Sequence, residues 1–151
     1  MQQEKKPCGI VTAITLAVSL GACSQSDGID GSGALFEGIG PDATITLSGT
    51  EPFWSIKITP QADGGYLARF SSPDDPDASS FAVTRFAGNN GLGFNGERDG
   101  EAVQIAITPG ECSDAMSEAT YPFTATVGLG AETLFGCGET DDVPAAVSVN
   151  S

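Results

Sequence analysis

The groups of this chain that could do chemistry are almost all carboxylates. The 151 residues include 20 Asp and Glu, 6 Lys and Arg, and no His. Asp114 and Glu118 are four residues apart, so a helical turn would place them on one face as paired carboxylates or metal ligands. A glycosidase needs two carboxyl groups about 5–9 Å apart across a cleft. Because such pairs arise by chance in an acidic chain, we expect Asp114 instead to accept backbone hydrogen bonds in the loop near Cys112.

Two further acidic segments resemble calcium-binding loops. Residues 95–100 (NGERDG) offer oxygen ligands at alternate positions, with a glycine in sixth place. The twelfth position is Ala106, where an EF-hand needs a bidentate glutamate, so a hairpin turn is the better interpretation. Residues 73–77 (PDDPD) carry three carboxylates that could bind calcium weakly, but a solvated loop is favoured. The sequence therefore predicts no metal site.

Most catalytic centres need residues that this chain lacks. Without histidine there is no Ser/His or Cys/His pair, and neither a Gly-x-Ser-x-Gly elbow nor a phosphate-binding loop ending in lysine is present. Lys57 is the only lysine after residue 22, so a Ser/Lys pair is barely available. We expect a protein that is not an enzyme, with no catalytic residues and no cofactor.

The first 22 residues have the three parts of a signal peptide. Two lysines form a positive start, residues 10–20 (IVTAITLAVSL) are apolar, and small residues precede Cys23. The apolar run is shorter than the roughly 20 residues needed to span a bilayer. Residues 20–23 (LGAC) resemble the lipobox of bacterial lipoproteins, in which the cysteine receives a lipid and becomes the first mature residue. An ordinary cleavage after Ala22 is the alternative.

The lipobox predicts a location and a domain plan. By resemblance to Gram-negative lipoproteins, Ser24 favours the outer membrane, with the protein facing the periplasm. Two or three acyl chains on Cys23 would form a stable anchor to the membrane. We predict a signal peptide over residues 1–22, a flexible tether over 23–42, a β domain over 43–138 and an acidic disordered tail over 139–151.

Two cysteines remain after removal of the signal peptide and lipidation of Cys23. Cys112 and Cys137 form an even pair in an oxidising compartment, which predicts a disulfide. In the chain-entropy model its closure contributes roughly 3 kcal/mol. A reactive thiol is the alternative, but it would need a nearby histidine or cation to lower its pKa. No Lys or Arg follows Arg98 in the sequence.

Strands are the elements predicted to position these residues. Apolar and polar side chains alternate with period two in several short runs, namely residues 44–47, 54–58, 66–70, 102–107 and 123–129, and a last apolar stretch covers residues 133–137. Gly-, Asn-, Asp- and Pro-rich turns separate them, which predicts about seven or eight strands. The fold class is therefore all-β, a small antiparallel β-barrel or sandwich. Residues 113–119 are the expected exception, a short helical turn capped by Ser113.

An aromatic motif begins the predicted β domain. It consists of Glu51, Pro52, Phe53 and Trp54. Glu51 could be a functional acid beside an aromatic platform. The alternative, which we favour, is that Trp54 fills the core, because it shares a strand face with Ile56 and Ile58.

A second block accompanies this motif and carries a family resemblance. It contains Cys112-Ser113-Asp114-Ala115-Met116-Ser117, then Tyr121-Pro122, then Gly136-Cys137. The two blocks resemble a family of uncharacterised bacterial envelope lipoproteins with EPFW and CSDxMS…YP…GC motifs. That family is loosely similar to META-type and lysozyme-inhibitor-type lipoprotein modules. The resemblance covers about residues 47–137 and implies an envelope location and a β fold, but no activity.

This chain departs from the pattern of the resembled family at two places, and its motif residues suggest a ligand surface. Members commonly have glycine at the position of Ala115, and an acid–Arg pair where this chain has Glu118 and Ala119. A possible ligand or motif surface comprises Glu51, Pro52, Phe53, Trp54, Ser113, Asp114, Met116 and Tyr121.

Charge narrows the range of partners. The first 22 residues carry a net charge of +1, so removing them changes the formal charge from −14 to −15. Such a field repels phosphate backbones, which argues against nucleic acid, and it suits a basic envelope protein. We expect a lipid-anchored, non-enzymatic binding or structural module. The alternatives are an inhibitor of a basic cell-wall hydrolase such as lysozyme and, less favoured, a hydrolase that uses carboxylates.

Overall fold

The computed structural model describes residues 35–77 and 80–147. The predicted signal-peptide helix, Cys23 and residues 23–34 of the predicted tether lie outside the described residues. The described chain is built from strands. Their bounds are β1 Ile45–Thr50, β2 Phe53–Pro60, β3 Tyr66–Ser71, β4 Ser80–Ala87, β5 Leu92–Arg98, β6 Glu101–Ser113, β7 Ala119–Leu129, β8 Glu132–Thr140 and β9 Ala146–Val147.

Eight of these strands form a closed antiparallel barrel. Each strand from β1 to β7 pairs with the next one, and β8 pairs back with β1. The short β9 pairs with the beginning of β7 and adds one extra strand. The all-β prediction is confirmed, and of its two architectures the chain adopts the barrel.

Alternate side chains of the strands fill the barrel interior. Successive strand residues point to opposite faces, so every second residue enters the core. Trp54, Ile56 and Ile58 of β2 are all at most 3% exposed. The same alternation buries Val103, Ile105 and Ile107 of β6 and Phe123, Ala125 and Val127 of β7. The period-two runs in the sequence therefore mark real strands with the predicted buried faces.

The turn between β5 and β6 is a tight hairpin. Asp99 has φ of 54° and Gly100 has φ of 84°. Positive φ at both central residues is the requirement of a type I′ turn, which favours Asp-Gly. Residues 95–100 therefore form a strand end and a hairpin turn, as predicted.

The segment before β1 packs against one end of the barrel. Ile39 is only 2% exposed, and Phe36 packs against the core. Arg85 Nη2 donates to the carbonyl of Ile39 at 2.9 Å, and the Tyr66 hydroxyl donates to the carbonyl of Pro41 at 2.9 Å. We call this the closed end. The opposite end, where the β5–β6 and β7–β8 turns lie, is the open end.

Both ends of the domain differ from the predicted bounds of 43 and 138. Residues 36–42 of the predicted tether join the barrel, because two apolar side chains in that Gly-rich segment reach the core. At the other end β8 continues to Thr140, which is 4% exposed. A hydrogen bond also orders part of the predicted disordered tail, since the Glu139 carboxylate accepts the N–H of Ala145 at 2.8 Å.

The helical turn predicted over residues 113–119 is wrong, and the described residues contain no helix. Ser113 ends β6, and a bend leads into β7. Two side chains organise the bend. Oδ1 of Asp114 accepts the N–H groups two and three residues further on, at 3.0 and 2.8 Å, and Oγ of Ser113 accepts the N–H of Ala115 at 3.2 Å. Ala115 has φ of 59°, which a right-handed helix does not allow.

Candidate functional site at the open end of the barrel

The open end of the barrel contains a cavity of about 550 Å³, which we call the mouth cavity. Its apolar floor is formed by Trp54, Phe70, Val103, Leu129 and Leu134. Its charged rim is formed by Asp74, Arg98, Asp99, Glu101 and Glu132. Small-molecule sites are typically clefts of about 300–1,000 Å³ with apolar walls and a few polar groups, and the mouth cavity matches that description.

The EPFW motif lies at the edge of the mouth cavity. Glu51 and Pro52 are joined by a cis peptide bond in the turn between β1 and β2, and Phe53 begins β2. Pro52 and Phe53 line the cavity, and Phe53 remains 53% exposed. Trp54 is 3% exposed and belongs to the core. This was predicted, because Trp54 shares a strand face with the two isoleucines of β2.

The Trp54 indole lies against two glycines of neighbouring strands. A Cβ added at Gly49 would collide with Nε1 of Trp54, and one added at Gly136 would lie 2.8 Å from Cζ2. The indole fits only because neither position carries a side chain. Its Nε1 has no hydrogen-bond partner among the described residues, so Trp54 stabilises the barrel through packing. Sequence reasoning missed Gly49 and noted Gly136 only within the resembled motif, because no local signal marks either one.

Cys112 and Cys137 form the predicted disulfide, with an S–S distance of 1.98 Å and a Cα–Cα distance of 5.5 Å. Gly138, the next residue on β8, faces the core, and successive strand residues point to opposite faces, so Cys137 points outward. Its side chain is nevertheless only 3% exposed. It is covered by the tip of the β6–β7 hairpin (residues 110–121), where the strand register shifts between Pro109 and Cys112. The disulfide therefore fixes this hairpin tip against the outer face of β8.

The two motif blocks of the sequence meet beside this disulfide. The hydroxyl of Thr50 donates to the backbone carbonyl of Asp114 at 3.4 Å and so joins the EPFW turn to the hairpin tip. A shallow groove of about 440 Å³ separates them, and its lining includes Glu51, Ser113, Asp114 and the two cysteines. Met116, which is 69% exposed, and Tyr121 do not line the groove. Six of the eight residues of the surface predicted from the sequence are thus divided between the groove and the mouth cavity, and the other two, Met116 and Tyr121, line neither.

The carboxylate of Asp114 is occupied by groups of its own hairpin tip. Hydrogen bonds from the N–H of Ser117, then the N–H of Met116, hold the pKa of Asp114 below its ordinary value of 3.8. The Tyr121 hydroxyl also donates to Oδ2, at 3.5 Å. Burial of the phenol, followed by the charge of Asp114, raises the pKa of Tyr121. Asp114 thus accepts backbone hydrogen bonds, as predicted, and without a helical turn it does not share a helix face with Glu118.

Among the described residues, Arg98 is the one basic residue that lines the mouth cavity. Its Nη2 lies 2.7 Å from Oδ2 of Asp75, and its Nε lies 3.5 Å from Oδ2 of Asp99. Its guanidinium carbon is 4.9 Å from the centre of the Phe70 ring, a cation–π distance. Sequence reasoning placed Arg98 only within the calcium-like pattern. It missed this role because Asp75 and Phe70 are brought to Arg98 by strand pairing and not by spacing along the chain.

No group of three or more Cys, Asp and Glu side chains that could hold a metal ion occurs in the part of the chain that the structure describes. Residues 35–77 and 80–147 also contain no helix of the length and apolar character needed to cross a membrane. Comparisons with protein-family models, curated proteins and solved structures found no match to the chain. A functional assignment therefore rests on the mouth cavity and on the residues themselves.

Proposed function

We propose that this chain is a non-enzymatic binding module of the bacterial envelope that holds a small molecule in the mouth cavity. The observation that carries the proposal is the cavity itself, about 550 Å³ in volume, with an apolar floor and a charged rim. The interior of an eight-stranded barrel is just wide enough to be filled by side chains or to hold one small ligand. In this barrel side chains fill the interior, and the space for a ligand lies at the open end. Here the closed end is covered by residues 36–43, so a ligand would enter at the open end.

The acidic groups of the motif surface support binding over catalysis. Hydrogen bonds of the bend hold the pKa of Asp114 below its ordinary value, and they occupy both oxygens of its carboxylate. A general acid or base works best with a pKa near the operating pH and needs access to the substrate. The pKa of Asp114 is held away from that range and its oxygens already accept hydrogen bonds, which favours the structural role that these bonds give it.

Fluorescence of Trp54 provides the test, because it is the only tryptophan of the chain and lines the mouth cavity. The probe is N-phenylnaphthylamine, a neutral hydrophobic fluorophore that accepts energy from tryptophan. We expect saturable energy transfer from Trp54 with one probe per protein. Leu129→Phe fills part of the cavity and should weaken binding. Leu67→Phe adds the same ring on the outer face of β3, where Leu67 is 36% exposed, and should not.

Two results would contradict the proposal. One is the absence of saturable energy transfer in the unaltered protein. The other is equal binding by the Leu129→Phe and Leu67→Phe variants, once circular dichroism shows that both keep the β fold. A Leu129→Met variant, which preserves volume, guards against misfolding of the phenylalanine variant and should bind like the unaltered protein.

Anchoring through Cys23 is the second part of the proposal. It is supported by the tripartite N-terminal sequence and by LGAC at residues 20–23. Expression with labelled palmitate should yield a labelled protein in the membrane fraction, whereas Cys23→Ala should be unlabelled and released from that fraction. Cys8→Ala is the matched control and should be labelled normally. Labelling of Cys23→Ala would exclude the proposed anchor.

Inhibition of a basic cell-wall hydrolase is a second candidate, favoured by the formal charge of −14 for the whole chain. A basic enzyme would be attracted to this surface at low ionic strength. Purified protein at micromolar concentration should then slow lysozyme in a turbidity assay, and the effect should persist at physiological salt. Unchanged lysozyme activity would exclude this candidate and would have no bearing on the proposal that the mouth cavity binds a small molecule.

A further inference from the structure

We propose that the occupant of the mouth cavity is a small amphiphile with an apolar body and a cationic head. This inference rests on the proposed function, because it names the class of ligand for the same site. The apolar body would enter between the floor side chains, and the positive head would remain at the rim, among carboxylates.

The floor of the cavity sets the character of the ligand body. Its five side chains are aromatic or aliphatic, and Trp54, Val103 and Leu134 are at most 4% exposed. Among described residues the Nε1 of Trp54 is the one buried side-chain polar atom without a partner, and it is directed toward Gly49, which does not line this cavity. An apolar body gains free energy in proportion to the area it buries there, about 25 cal/mol per Å².

The rim of the cavity sets the charge of the head. Within the part of the chain that the structure describes, four carboxylates line it, together with the guanidinium of Arg98. That guanidinium is already paired with Asp75 at 2.7 Å and with Asp99 at 3.5 Å. Asp74, Glu101 and Glu132 form no salt bridge within the described residues. The unpaired charge of the rim is therefore negative.

Two of the three unpaired carboxylates, those of Glu101 and Glu132, belong to residues at the β7–β8 turn or beside it. Glu101 Oε1 lies 3.0 Å from the position of a Cβ at Gly130, so the carboxylate of Glu101 contacts the β7–β8 turn two residues before Glu132. Like charges beside a partly apolar cavity repel one another, and a cation placed between them relieves that repulsion. An anionic amphiphile would have to displace Asp75 from Arg98 and approach these carboxylates at the same time.

Three detergents with the same decyl chain separate the possibilities, each used below its micellar concentration. They are decyltrimethylammonium, decyl maltoside and decyl sulfate, titrated by calorimetry and by Trp54 fluorescence at physiological salt. We expect decyltrimethylammonium to bind about tenfold more tightly than decyl maltoside, a difference of about 1.4 kcal/mol, and decyl sulfate to bind most weakly.

Matched double variants show whether the rim causes the preference. Glu101→Gln with Glu132→Gln should remove most of the preference for the cation. Glu37→Gln with Asp142→Asn changes the net charge equally, but both residues are exposed and lie at the closed end, so the preference should remain. If both double variants lose the preference for the cationic detergent equally, the detergent is attracted by the net charge of the whole protein, and the inference is overturned.

The remaining outcomes distinguish this inference from the proposed function. If the neutral detergent binds as tightly as the cation, or the sulfate binds more tightly, the mouth cavity is a binding site but the ligand class is wrong. If none of the three detergents binds and N-phenylnaphthylamine does not bind either, both proposals fail together.

Discussion

The indole of Trp54 on β2 lies against the backbone of Gly136 on β8, so that a Cβ at position 136 would come within 2.8 Å of Cζ2. Such a Cβ would also collide with the carbonyl oxygen of Ser48 on β1. Strand β1 lies between β2 and β8 in the sheet. A strand backbone cannot move aside as a flexible side chain can. The pairing of β8 with β1, which closes the barrel, therefore depends on the absence of a side chain at position 136. That absence also explains why a bulky Trp54 is compatible with a barrel of eight strands.

Gly136→Ala should therefore destabilise the protein. Adding a methyl group to a packed core costs about 1–3 kcal/mol, and the backbone contact places this site in the upper part of that range. The free energy of unfolding is measured by urea denaturation. Gly128→Ala is the matched control on the adjacent strand, because its nearest neighbour, Cβ of Gln104, would be an ordinary 3.8 Å away. Equal stability of the two variants would contradict this account of the Trp54 contact.

Removing the disulfide should loosen the hairpin tip before it unfolds the barrel. Cys112→Ala with Cys137→Ala should lower the free energy of unfolding by about 2–4 kcal/mol, the range observed for loops of this kind. Hydrogen exchange should accelerate most in residues 110–121, since β7 and β8 keep their own ladder. The unaltered protein in reductant is the control and should show the same pattern. Uniform acceleration throughout the barrel would mean that the bond supports the whole fold.

The sequence was sufficient for most of the barrel and insufficient for its exceptions. Regular alternation made β2, β6 and β7 recognisable, because their buried residues recur with period two. In β4 the pattern is obscured, since Arg85 is partly buried and bonded to Ile39, whereas Phe86 is 51% exposed. Phe86 lies over Gly93 of β5, where a Cβ would meet its ring. That pairing depends on strand register, which local spacing does not reveal.

The candidate site was less predictable than the fold for the same reason. The EPFW residues could be identified because they are contiguous, and the disulfide because two cysteines remained. The mouth cavity is assembled from six different strands and the turns between them, and no contiguous motif contains its rim. The helical turn was predicted wrongly because Asp114 forms local hydrogen bonds that compete with a helix.

Ala115 should be replaceable by glycine with a gain in stability. Its φ of 59° lies in the left-handed region, which costs an L-residue roughly 1–2 kcal/mol. Glycine avoids that cost but loses about 0.5–1 kcal/mol through its more flexible unfolded chain. Ala115→Gly should therefore raise the free energy of unfolding by up to about 1.5 kcal/mol. A loss of stability would show that the methyl group of Ala115 makes a needed contact.

Asp114 should contribute to stability in a pH-dependent way. Hydrogen bonds lower the pKa of its carboxyl group in the folded protein below the ordinary 3.8. Its contribution is therefore fully present above that ordinary value and is lost as the pH falls through the lower folded value. Asp114→Asn keeps an acceptor oxygen but cannot titrate. The stability difference between the unaltered protein and this variant should be larger near about pH 6 than near about pH 3.

Urea denaturation at the two pH values measures that difference. Glu118→Gln, which also removes one carboxylate from the hairpin tip, controls for the change in net charge. A stability difference for Asp114→Asn that does not change with pH would mean that the bend is held by the geometry of the side chain alone, and not by its charge.

Ile39 should be essential to the closed end, although it lies in a segment that the sequence assigned to a flexible tether. It is 2% exposed and its carbonyl accepts a hydrogen bond from Arg85. Ile39→Ala should lower the free energy of unfolding by about 2–4 kcal/mol, because truncation of a buried aliphatic side chain leaves a cavity. Leu35→Ala is the matched control, since Leu35 is 62% exposed, and it should change stability by less than about 0.5 kcal/mol. Both are measured by urea denaturation of the same full chain. If Ile39→Ala is no less stable than Leu35→Ala, residues 36–42 do not belong to the folded domain, and the closed end depends on the barrel strands alone.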